Sequence, residues 1–243
     1  MKIAIGLLAL IALTSNGQVP IKTNLDGSMS YGRVLPTNQA SYAYHVWQPL
    51  FAAGQTSYAQ RTAYLNSLPA TNGIPMNIIL HARVVTEMEN GNTGNAISYA
   101  QRIAGDEYRK TTVTVGVYLY ADDTNGFVSF CTNYLALAAT SSAVSGDSIV
   151  LVANRYCGYL KLNGGSKTQI SCVAKDALKV ARVSQVEYAT PLFNRVQPSC
   201  FASAADYKEW LRVVVQNVVF ENPIPLPVAR YLATVKTAYS VSP

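Results

Sequence analysis

Cys131, Cys157, Cys172 and Cys200 are the residues of this sequence whose type and spacing most readily do chemistry. Thiols of an exported chain close disulfides, within the chain or to a partner. Cys131 shares an i, i+3, i+4 apolar stripe with Phe127, Tyr134 and Leu135, and Cys157 shares another with Ile149, Ala153 and Leu160. Two core-facing cysteines on consecutive antiparallel helices, joined by a turn near Ser145 and Gly146, are expected to pair. Cys172 falls at helical spacing with Thr168, Lys175, Lys179 and Arg182 on a polar face, and Cys200 lies between helices in Pro198-Ser-Cys-Phe201. Either these two bridge each other, or one of them bonds another chain. Geometry alone favours the internal bridge, while flanking lysines suit Cys172 to the second role, because positive charge stabilises the thiolate that performs exchange.

Little else carries chemistry. His45 and His81 belong to no metal-spaced cluster, and no Gly-x-Ser-x-Gly elbow or phosphate-cradling glycine loop is present. Both histidines read as packed or surface helix residues. The acids Glu87 and Glu89, Asp106 and Glu107, and Asp122 and Asp123 are local pairs, of the kind that cap helices and face helix dipoles. Asp122-Asp-Thr-Asn-Gly126 faintly resembles a calcium loop but lacks the later bidentate acid, so it is expected to be a turn followed by an N-cap. The sequence therefore predicts a protein that is not an enzyme and has no metal or cofactor.

The elements that position the cysteines are predicted to be helices. Residues 40–53 (kinked or shortened by Pro49), 56–68, and a segment from Pro75 to Gly91 show helical spacing, as do 94–104. Thr111 to Tyr120 alternates like a strand, but it has no partner strand, and a buried helix is expected there. Three stripes follow, carrying Phe127 to Ala138, Ile149 to Leu160 and Ile170 to Ala181, with Ser166 as a possible cap of the third. A helix around Trp210 is entered through Ser203 and Asp206, and Pro227 suits the first turn of a last helix, Val228 to Tyr239. The fold class is all-α: a single compact domain of about nine to eleven helices over 39–243, preceded by an extended arm over 18–38.

Hydrophobic residues make up 49% of the 243 and charged residues 13%, which excludes a disordered polyelectrolyte. Lys2, the apolar run Ile3 to Leu13 and the small residues Ser15-Asn16-Gly17 read as a signal peptide over 1–17, and hence as secretion. That run is too short to span a bilayer, and no later segment is long enough either. Without Lys2, 18 basic residues face 13 acidic ones. They are scattered, so nucleic-acid binding has no support. No Asn-x-Ser/Thr acceptor occurs.

The size, signal peptide, low charge, helical pattern and absence of glycosylation acceptors resemble those of the fibroin light chain of silk-spinning insects. So do the segments Cys172-Val-Ala-Lys175 and Val228-Ala-Arg-Tyr-Leu-Ala-Thr-Val235. The resemblance implies a non-catalytic structural and secretion partner, disulfide-linked to the C-terminal region of a large fibroin heavy chain in the lumen of a silk gland. It also implies one internal disulfide, Cys131 to Cys157, and an interchain bond at Cys172. Cys200 has no place in the usual three-cysteine scheme and is the alternative interchain residue. A competing expectation is a secreted helical carrier of an apolar ligand with all four cysteines paired internally. A third is an enzyme with a cleft at His45 or His81.

Overall fold

The computed structural model describes residues 20–31, 35–51, 57–68, 73–184, 188–218 and 226–241. The expected signal peptide, 1–17, lies outside them. The described residues are mostly helical, and the all-α expectation is met. Among the described residues the helices are α1 (Tyr42–Phe51), α2 (Tyr58–Ser67), α3 (Met76–Glu89), α4 (Thr93–Gln101), α5 (Glu107–Tyr120), α6 (Thr124–Thr140), α7 (Gly146–Leu162), α8 (Lys167–Val180), α9 (Ala189–Phe193), α10 (Ala204–Gln216) and α11 (Leu226–Val241).

Their starts follow local chemistry. Ser57 and Gln60 form a reciprocal capping box on α2, and the side chains of Asp106, Asp123, Ser166 and Ser203 each accept a backbone N–H in the first turn of α5, α6, α8 and α10. The 122–126 segment is thus a turn and a cap, with Asp122 in the left-handed region at φ 53°. Pro49 sits inside α1. The ambiguous stretch 111–120 is helical. Val113, Val115, Val117 and Leu119 are all buried, because α5 packs against α3, α4, α6 and α7 together. A helix covered on nearly every side loses the polar stripe that would mark its period. The hydroxyls of Thr112 and Thr114 donate to the carbonyls four residues back, which satisfies them inside the helix.

The core is laid out along the chain. Val46, Leu50, Leu65 and Ile79 join α1, α2 and α3; Leu80, Val84, Ala100 and Val117 join α3, α4 and α5. Phe127, Cys131, Val115 and Val152 join α5, α6 and α7. The largest cluster gathers α7 to α11 around Leu178, Leu192, Trp210, Leu211 and Tyr231.

Within the extended arm expected over 18–38, the described residues include a strand pair. Pro20–Thr23 (β1) and Met29–Tyr31 (β2) pair antiparallel as a hairpin, and its turn is seated on the helical body. Asp26 is buried and forms an ion pair with Arg155 of α7 at 3.1 Å, while also accepting from the Ser28 N–H and hydroxyl. The seat needs Gly158: a Cβ there would lie 2.4 Å from the Asp26 carbonyl oxygen. Lys22 anchors the other end, donating to the Tyr120 carbonyl and pairing with Asp122. A short hairpin of small and polar residues reads as a loose arm from composition, because the groups that hold it are about 100 to 130 residues away.

Candidate functional site: the Cys172 and Cys200 thiols

All four cysteines are free thiols in the structure, and no pair stands at disulfide distance. The bridge expected between Cys131 and Cys157 is therefore not formed. Both are fully buried, but they face different neighbours. Cys131 packs in the α5–α6–α7 cluster with Phe127 and Val152, whereas Cys157 packs in the cluster centred on α8, its thiol donating to the Ile170 carbonyl at 3.5 Å. Sequence spacing put Cys157 on an apolar stripe, but α7 is apolar on both sides and the stripe did not say which side meets α6. Burial holds both thiols above the usual cysteine range, so neither is a ready nucleophile.

Cys172 and Cys200 are half-buried and lie on neighbouring elements. α8 turns Ser171, Ala174, Ala177 and Leu178 inward, which leaves Cys172 at the edge of its buried face. Pro198 starts a 3₁₀ turn, Pro198–Cys200, closed by Cys200 N–H to the Gln197 carbonyl at 3.0 Å. Two contacts press this turn onto α8. On one side the Gln197 N–H donates to the Ser171 hydroxyl at 2.8 Å. On the other, the Lys175 ammonium lies 5.5 Å from the centre of the Phe201 ring. Ser171 faces Gln197 and Lys175 faces Phe201, so the register brings Cys172 and Cys200 near each other between them.

α10 supports this clamp from behind. The Trp210 indole N–H donates to the Lys175 carbonyl at 2.9 Å, and its ring packs on Phe201, Tyr207 and Phe193. Beside the thiols, Lys175 and Lys179 of α8 and Asp206, Glu209 and Trp210 of α10 line an open cleft of about 320 Å³.

Charge at Cys172 differs from the expectation. Burial and the neighbouring Cys200 raise the thiol above its ordinary value, and Lys175 offsets them only in part. Lys175 also pairs with Asp176 at 3.6 Å and covers the Phe201 ring, so its charge is shared.

The histidines do not join this site. His45 is exposed on α1 beside Tyr44. His81 packs edge-on against Trp47, with ring centres 5.2 Å apart, and burial, aided by the Arg109 charge, lowers it to about 4. Glu87 is buried and accepts from the Tyr58 hydroxyl and the Asn92 amide, while Glu89 pairs with Arg61. Among the described residues no three His, Cys, Asp or Glu side chains gather as metal ligands, and no helix is long and apolar enough to cross a membrane.

Sequence reasoning missed the residues that aim the thiols, Ser171, Gln197 and Trp210. A serine on the inward face of an amphipathic helix was the one available signal for Ser171. Gln197 acts through its backbone and left no signal. The fold and site together describe a helical domain with a surface dithiol. In comparisons with known proteins, no protein family, no curated protein and no solved structure matches the chain.

Proposed function

We propose that this chain is a secreted, non-catalytic structural partner, joined by a disulfide at Cys172, or alternatively Cys200, to a large silk chain of the fibroin heavy-chain kind. The observation that carries the reading is the position of the thiols: Cys172 and Cys200 are partly exposed, and Cys131 and Cys157 are buried. Bonding to another chain needs an accessible sulfur on a stable domain and no active site. The role also has a physical logic. A repetitive, strand-forming chain exposes edges that aggregate before spinning. A soluble helical domain attached to its end covers that surface and raises its solubility during export. Secretion by way of the signal peptide over 1–17 belongs to the same proposal.

The test is a non-reducing gel of the native secretion, probed for this chain and repeated with reductant. The expected result is a band of very high mass that collapses to the single-chain mass on reduction. A monomer in both lanes overturns the covalent-partner reading and makes the apolar-ligand carrier the next function to test.

A further inference from the structure

We infer that Cys172 and Cys200 act as one exchange pair: they close an internal disulfide, and each resolves any mixed disulfide formed on the other. The argument rests first on register. Ser171 to Gln197 and Lys175 to Phe201 fix the 3₁₀ turn on α8 at two points. Between those two points the register holds Cys172 and Cys200 as near neighbours, so the two thiols are the pair of this chain placed to close on one another by movement of the short turn. The other two thiols are buried in separate clusters and stay out of the reaction.

The chemistry balances with an ordinary disulfide as oxidant. A thiolate of the pair attacks oxidised glutathione, forming a protein–glutathione disulfide and releasing one glutathione thiolate, which takes up the proton lost by the attacking thiol. The neighbouring thiol then loses its proton and attacks the protein sulfur of that mixed disulfide. The Cys172–Cys200 bond forms and the second glutathione leaves, reduced. Exchange with a chain bearing a thiol runs the other way. The incoming thiolate bonds Cys172 and expels Cys200 as a thiolate, which takes up the proton lost by the incoming thiol.

Resting on the partner reading above, this has a consequence for it. A bond from Cys172 to another chain persists only while docking keeps Cys200 from attacking it, so the partner is held by contact as well as by sulfur, and released when contact is lost.

The experiment uses the full secreted chain, first reduced, then equilibrated with oxidised and reduced glutathione as the probe, acid-quenched and digested for mass spectrometry. The wild type is expected to show the Cys172–Cys200 peptide pair and little glutathione adduct. C200S should carry the adduct on Cys172, and C172S on Cys200, each at roughly tenfold the wild-type level or more, since an intramolecular thiol competes at high effective concentration. Stable adducts on both cysteines of the wild type, or no joined peptide at any ratio, overturn the inference. The native-secretion gel fails or succeeds separately: a joined pair in a chain that never runs at high mass upholds the exchange pair and removes the partner.

Discussion

At the scale of single residues, His81, half-buried against Trp47, has a measurable signature. His81 titrates near 4 in the fold and near 6.5 as a free side chain, so its folded value is depressed. Above pH 6.5 both states are neutral and the fold loses nothing. Between 6.5 and 4 the unfolded chain takes up a proton that the native chain refuses, and stability falls as the pH falls. The full loss is about 3 kcal/mol as an upper bound. Urea midpoints measured from pH 7 to pH 4 should decline less steeply in His81→Asn than in the wild type, and identical slopes would remove this role from His81. The cysteines offer a second check. A small alkylating reagent should label Cys172 and Cys200 in the native chain, and all four thiols only after unfolding, because Cys131 and Cys157 are buried. Native labelling of Cys131 or Cys157 would contradict that packing. Of these residues, the two surface thiols were legible from the helical wheel of α8 and from Pro198, but their contact was not. It depends on Ser171 and Gln197 meeting across 26 positions.

At the scale of elements, two attachments can be broken selectively. The hairpin β1–β2 is seated by backbone approach at Gly158 and by one buried carboxylate. Gly158→Val should unseat it without unfolding the bundle. Limited proteolysis should then cut within 20–31 much faster than in the wild type, with circular dichroism unchanged at 222 nm, a wavelength that reports helix. Equal cleavage rates would show that the hairpin does not depend on this contact. The second attachment is α10 against α8. Trp210 combines large buried area with an indole hydrogen bond to the Lys175 carbonyl, and Trp210→Ala is expected to cost about 3–5 kcal/mol in denaturant unfolding. A cost under about 1 kcal/mol would place the anchor elsewhere. Helix identities here were largely readable from spacing and caps, including Ser166 and Ser203. The hairpin was missed because its turn is polar and its partners, Arg155 and Gly158, lie on α7. The short α9 was missed as well, since five residues hold too little period to read.

At the scale of the whole molecule, closure of the Cys172–Cys200 pair would tie α8 to the segment that leads into α10. The loop it encloses is long enough for a stabilisation of about 3.5 kcal/mol in the chain-entropy model. The oxidised wild type should therefore unfold at higher denaturant than the reduced wild type, and C172S and C200S should show no such dependence on reductant. A dependence that survives in both variants would point to Cys131 and Cys157 instead. The sequence by itself determined the fold class, the order of the principal helices and their caps, because those follow from apolar spacing and local hydrogen bonding within a few residues. It also determined that two cysteines are buried and two are not. Only the tertiary structure decided which sulfurs meet. α7 is apolar on two sides, toward α6 and toward α8. Spacing along one helix cannot say which neighbour each side faces. That choice is made by the packing of several helices at once, and it turned Cys157 toward α8 and brought Cys172 near Cys200.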